Sequence, residues 1–218
     1  MNYAFYISGR SGRLYKFLFQ ATKEQLNSIK IIISDKKIQD NLAELLTDKK
    51  ISVYEIDYYG LEGDTNKEKN LGLSDKMLKI LSDNHIDYCF SFGSHLLSGQ
   101  LLISYKWKII NFHPSVLPMY PGRKSIDQAV EHGNTLLVGN TAHFIDEGMD
   151  TGKIIMQSVI PLQAFFDSDN DYDRVLDLQI EMLNKIIMLL NNNRIKIYGD
   201  TVKIIGADYN KFSFFPYI

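Results

Sequence analysis

Short apolar runs alternate with polar, glycine-bearing segments along the first half of the chain, and the period within each segment separates strands from helices. Tyr3 to Ile7 is an apolar run, Gly9 to Gly12 interrupts it, and Leu14, Phe17 and Leu18 recur at helical spacing. A strand, a glycine turn and a helix are predicted there. Ile29 to Ile33 predicts a second strand, Leu42 to Leu46 a helix face, and Ile51 to Ile56 a third strand. The polar stretch Gly60 to Asn70 reads as a loop, after which Ser74 is placed to cap a helix carrying Met77, Leu78 and Leu81. Tyr88 to Phe92 predicts the fourth strand. The apolar stretch Trp107, Lys108, Ile109 and Ile110 predicts the fifth, halted by Pro114.

Farther on, Ser125 to Glu131 reads as a short helix, and Asn140 to Phe144 and Ile154 to Leu162 as strands. Val175, Leu178, Met182, Leu183, Ile186 and Leu190 form one apolar stripe of a long helix over Tyr172 to Leu190. The segment IKIYGDTVKI has a Gly-Asp pair between alternating runs, a hairpin signal. The ending FSFFPYI is too apolar to be left in water, so it is expected to pack on the core or against a second copy, making a homodimer plausible. Strands alternating with helices imply an α/β fold, a mostly parallel twisted sheet flanked by helices.

Composition narrows the picture in three ways. A chain of 218 residues, 45% hydrophobic, can bury one sizeable core without staples or metals. A formal charge of −2 with no long basic cluster gives no reason to expect nucleic acid. The start MNYAFYISGR lacks a basic region and a long apolar core, and no apolar run approaches the roughly 20 residues of a membrane span. Cys89 is single and lies in an apolar run, which fits an inert thiol in a reducing, cytoplasmic setting.

The candidate chemistry lies in NFHPSVLPMYPG and HFIDEGMDTGKII. The first block follows an apolar strand, so its polar residues emerge at a carboxyl end, where open α/β sheets bind ligands. Asn111 and His113 share one face of extended chain, while Phe112 points the other way. Asp150 lies on a glycine-bracketed loop from which it can reach His113. Amide donor, imidazole and carboxylate together suit acyl-type transfer. His85, His95, His132 and His143 show no mutual spacing that suggests a metal, and none is expected.

The chain resembles the formyltransferases that act on glycinamide ribonucleotide, methionyl-tRNA and nucleotide sugars. ISGRSGRL, DYCFSFGSHLLS, NFHPSVLPMYPG and HFIDEGMDTGKIIMQ carry the likeness, which covers most of the chain up to about Gly199. It implies a Rossmann-like formyltransferase fold, with a catalytic domain over 1–198 and a hairpin and tail over 199–218. It also implies transfer of formyl from N10-formyltetrahydrofolate to an amine. By position, Asn111 would donate to the oxyanion, His113 assist the tetrahedral intermediate, and Asp150 polarise the site and help move protons.

The folate pocket is expected from Gly93, His95, Leu96, Leu97, Phe144, Ile145, Asp146 and Gly148. Gly9, Arg10, Ser11, Gly12 and Arg13 are expected at the acceptor's phosphate, and the two arginines would suit a second phosphate. A tRNA enzyme would be expected to carry a further RNA-binding domain, and a formyltetrahydrofolate hydrolase a regulatory domain ahead of ISGRSGRL. Against the glycinamide ribonucleotide enzymes stand three departures. Gln179 and Ile180 replace a Glu-His pair, the loop after Gly60 lacks a Ser-Arg-Glu segment, and Arg123 to Asp127 differ from a histidine-bearing pattern. The expected acceptor is therefore the amine of a nucleotide-linked amino sugar for surface polysaccharide, with glycinamide ribonucleotide as the alternative. A non-catalytic folate- or nucleotide-binding module is the alternative of another class.

Overall fold

The computed structural model describes residues 1–9, 11–132, 135–163 and 171–211. The apolar tail Phe212 to Ile218 and Arg10 therefore lie outside the described residues. The chain divides into two compact units, 1–111 with 144–148, and 112–143 with 149–218.

The first unit is built on parallel strands. Strand β1 (Tyr3–Ile7) is buried at all five positions, as a central strand covered on both faces must be. Strands β2 (Ile29–Ser34), β3 (Ser52–Glu55), β4 (Tyr88–Phe92) and the start of β5 (Ile109–His113) join it in the order β3-β2-β1-β4-β5, every pairing parallel. Helices α1 (Gly12–Gln20), α2 (Lys23–Ser28), α3 (Asp40–Asp48), α4 (Asn66–Asp83) and α5 (Gln100–Ser104) lie in the connections. The core of one face gathers Ala4, Tyr6, Ile31, Ile33, Met77 and Leu101 around the fully buried Cys89. Burial pushes that thiol up to about 12.

Helix α4 corrects the sequence reading. It begins at Asn66, inside the stretch read as loop, because Thr65 and Glu68 form a reciprocal cap. Thr65 Oγ1 accepts from the Glu68 amide at 3.2 Å, and Glu68 Oε2 accepts from the Thr65 amide at 2.9 Å. Ser74 is a buried mid-helix residue: it donates to the Asn70 carbonyl at 2.7 Å and accepts from the Ser98 amide at 3.0 Å. Trp107 is likewise no strand residue. It has φ +59 and turns the chain before β5 begins at Ile109. Helices α2 and α5 were not foreseen. The first buries no residue and the second is one turn long, so neither leaves an apolar periodicity.

In the second unit, β6 (Leu137–Phe144) and β7 (Ile154–Pro161) pair antiparallel, with a register shift between Ala142 and His143. Helix α6 is Ser125–His132. Helix α7 (Asp171–Asn191) buries Val175, Gln179, Ile180, Met182, Leu183, Ile186, Ile187, Leu189 and Leu190. The hairpin of β8 (Ile195–Tyr198) and β9 (Thr201–Ile204) turns at Gly199, whose φ of +52 suits a glycine. The division expected at residue 199 falls within this turn. Lys153 donates to Asp200 in it at 2.8 Å.

Thr65→Ala removes one half of the reciprocal cap and is expected to lower the melting temperature by about 2–4 °C. Thermal unfolding followed by far-UV circular dichroism measures this, and an unchanged midpoint would show that α4 does not depend on its cap.

Candidate active site

A loop wound through left-handed residues supplies the backbone of the site in the second unit. Tyr120, Gly122 and Lys124 all have positive φ, at +52, +80 and +58. This winding directs the Tyr120 carbonyl to His113 Nε2 at 2.9 Å and the Gly122 amide to Asp150 Oδ2 at 2.8 Å. Asp150 itself has φ +56, a conformation that aspartate tolerates better than most residues.

Strand β5 delivers His113, which is 5% exposed, with Nδ1 3.3 Å from Asp150 Oδ2. A carbonyl only accepts, so Nε2 carries a hydrogen toward Tyr120. When the ring is protonated, its second N–H faces the carboxylate. Asn111 stands two residues earlier on the same strand and is half-buried.

His143 is a residue the sequence reading set aside. Its Nε2 lies 3.6 Å from Asp150 Oδ1, and its side chain is buried. The register shift beside it in β6 is where a bulge re-aims a side chain. Asp150 is thus held between two imidazoles. Burial pushes its carboxyl upward, but hydrogen bonds from His143 and the Gly122 amide, with the charges of His113 and His143, outweigh it. The carboxyl lies below the usual carboxylate value. The available signal for His143 was its place at the head of HFIDEGMDTG, directly ahead of the loop that carries Asp150; its lack of metal-type spacing to the other histidines hid it.

In the first unit, residues at the carboxyl ends of β1, β2 and β4 form a second polar group. Buried Asp35 Oδ2 accepts from Tyr6 and Ser8 hydroxyls, each at 2.6 Å. The Ser94 amide donates to Ser8 Oγ at 2.8 Å. His95 Nε2 lies 3.7 Å from Asp35, and its ring stacks on Tyr58 with centroids 3.6 Å apart. The glycine loop partly serves itself: the Gly9 amide donates to Ser34 Oγ at 3.2 Å, and Ser11 caps α1 by accepting from the Leu14 amide. Gly12 has open space around it. Arg13 lies with its guanidinium 4.4 Å over the Phe92 ring, and burial lowers it to about 10.

Of the expected folate residues, Leu97 and Phe144 are buried, at 4% and 1% exposure. Leu96 is exposed, Ile145 and Asp146 are half-buried, and Asp146 accepts from the Gly148 amide at 3.1 Å. A Cβ at Gly93 would come within 2.0 Å of the Tyr6 ring, so packing alone demands glycine there.

A family model described as formyl transferase matches residues 1–187. The chain belongs to that family. A phosphoribosylglycinamide formyltransferase of Bacillus subtilis (strain 168) is 39% identical over 101 residues, 45% of this chain and 51% of that protein. A formyltetrahydrofolate deformylase of Haemophilus influenzae is 27% identical over 166 residues, 76% of this chain and 57% of that protein. The chain spans just over half the length of these two curated relatives. Among solved structures, glycinamide ribonucleotide transformylase 1 from Symbiobacterium toebii superposes with TM-score 0.80 at 25% identity, covering 94% of this chain and 93% of that one. The Rossmann-like formyltransferase fold, mostly parallel and flanked by helices, is that of these structures. Among the described residues, no helix is long and apolar enough to cross a membrane.

A carboxyl depressed in the folded state adds stability that is fully present above its unfolded value, about 3.9, and is lost as pH falls through its lower folded value. Asp150→Asn is therefore expected to flatten the acid limb of stability below about pH 4. Denaturant unfolding across that range compares the two proteins, and identical acid limbs would show that Asp150 draws no net support from its partners.

Proposed function

We propose that the chain transfers a formyl group from N10-formyltetrahydrofolate to the primary amine of a small-molecule acceptor. The observation that carries this reading is the Asp150 carboxylate held between His113 and His143, with Asn111 on the strand that bears His113. The donor supplies an activated one-carbon acyl group; a C–N bond forms to the acceptor amine, the bond to N10 breaks, the amine loses a proton and N10 gains one. Asn111 offers a carboxamide N–H to the oxygen that becomes negative. His113 holds or gives the moving proton. Asp150 orients the ring and steadies its charged form, while His143 and the Gly122 amide hold Asp150.

The Bacillus subtilis relative and the Symbiobacterium toebii structure support glycinamide ribonucleotide as the first acceptor. This reverses the order expected from the sequence, because no relative named above acts, by its name, on a nucleotide sugar. The surface-polysaccharide role has no support among them. A nucleotide-linked amino sugar is kept as the second reading on one observation: Gln179, where the glycinamide enzymes are expected to carry a substrate-serving Glu, is 1% exposed. The folate contacts proposed for Leu96, Ile145, Asp146, Gly148, Gly93 and His95, and the phosphate contacts proposed for Gly9 to Arg13, belong to the same reading.

Tetrahydrofolate release is to be measured with glycinamide ribonucleotide and with dTDP- and GDP-linked 4-amino sugars. Release with glycinamide ribonucleotide is the expected result, release with a nucleotide sugar alone would establish the second reading, and none with any acceptor would overturn amine formylation here. His113→Ala is expected to lower kcat by on the order of a hundredfold or more. Unchanged turnover in that variant would remove His113 from the chemistry.

A further inference from the structure

One carboxamide of β6 and one of α7 form a buried pair with a fixed sense of donation. Asn140 on β6 is fully buried, and its Nδ2 donates to the Val175 carbonyl at 3.2 Å and to Ser158 Oγ at 3.3 Å. The Val175 carbonyl can only accept, so the Asn140 amide cannot be turned over. Its Oδ1 is thereby committed to the other side, where Gln179 Nε2 donates to it at 2.8 Å. The same Gln179 nitrogen donates to the Phe112 carbonyl at 3.4 Å. Both partners of that nitrogen are acceptors. Position 179 must therefore hold a donor, and an ionised glutamate, which has none, would set its oxygens against two carbonyl oxygens in a buried site.

Phe112 lies between Asn111 and His113 on β5, and its side chain is buried. Its carbonyl is the last backbone acceptor before the His113 unit, so a bond at this point limits how far the ring can swing from Asp150 and the Tyr120 carbonyl.

We propose that Gln179 is a positioning residue for His113: it braces the Phe112 carbonyl from α7, with Asn140 fixing its orientation, and it takes no part in holding the acceptor. The proposal rests on the reading that His113 handles the proton in formyl transfer. It also gives the departure from glutamate at this position a physical meaning. The group that would serve a substrate in the glycinamide enzymes is here spent on the backbone beside the histidine.

Gln179→Met keeps length and helix propensity while removing the donor. Gln179→Glu keeps shape and adds the repulsion, and Ser158→Ala loosens the same network from the half-buried face of β7. His113 ring resonances, identified by their loss in His113→Ala, are followed by NMR against pH in the full chain. Gln179→Met is expected to displace the His113 chemical shifts and titration midpoint while those of His85 stay in place, with a smaller displacement of the same sign in Ser158→Ala. With whichever acceptor turns over, kcat is expected to fall on the order of tenfold in Gln179→Met and further in Gln179→Glu, with both KM values within about threefold. An unmoved His113 titration in folded Gln179→Met, or a loss confined to the acceptor's KM, would overturn the proposal. The NMR result stands without any acceptor, so failure of the formyl-transfer reading would be seen separately, as silence of the wild-type protein in the release assay.

Discussion

A strand buried on both faces accepts a polar side chain only where that group finds a partner, and this constraint places most of the polar chemistry of the first unit. Tyr3 to Ile7 are fully buried, and β2 and β4 are nearly so. Polar groups are displaced to the ends, where Ser8 follows β1, Ser34 and Asp35 close β2, and Gly93 to His95 follow β4. Strand β5 contributes Asn111 in the same unit. Parallel strands share one direction, so these ends collect at one edge of the sheet in the first unit.

The backbone does much of the work of the site. The Tyr120 carbonyl and Gly122 amide reach His113 and Asp150 because three residues of one short loop adopt left-handed conformations. Asp150 is then shared by an amide and two imidazoles, a set that stabilises the carboxylate against its own burial. A group that keeps its charge in a site with little water acts more strongly on its neighbours than the same group in solution. In the first unit, Asp35 is surrounded by hydroxyls and the His95 ring, and the phenol it receives from Tyr6 is raised by burial and by that carboxylate. The two aspartates have different surroundings: Asp150 lies between two imidazoles and an amide, Asp35 among hydroxyls and the His95 ring.

Much of the architecture was legible because buried strands and long amphipathic helices leave a periodic trace. Tyr3 to Ile7, Tyr88 to Phe92 and the stripe of α7 fall where apolar spacing put them. The failures share a cause: capping and turn chemistry act through backbone groups that apolar spacing does not record. The start of α4 depends on Thr65 and Glu68, and a polar first turn made it look like loop. Trp107 reads as a strand residue by hydrophobicity yet turns the chain with φ +59. In the site, Asn111, His113 and Asp150 stand out because their motifs are specific. His143 escaped because Asp150, close by in the same motif, was read only as the partner of His113, and the bonds of Gln179 escaped because apolar spacing does not record what a buried amide touches.

The lone thiol of Cys89 has a practical consequence. It is enclosed in the core of the first unit and held in its neutral form far above physiological pH. Maleimide and other thiol-directed reagents act on accessible thiolate, so the native chain is effectively blank toward them. A cysteine introduced on any exposed loop would be the sole site of labelling, and a spin or fluorescent reporter could be attached there without first rebuilding the interior.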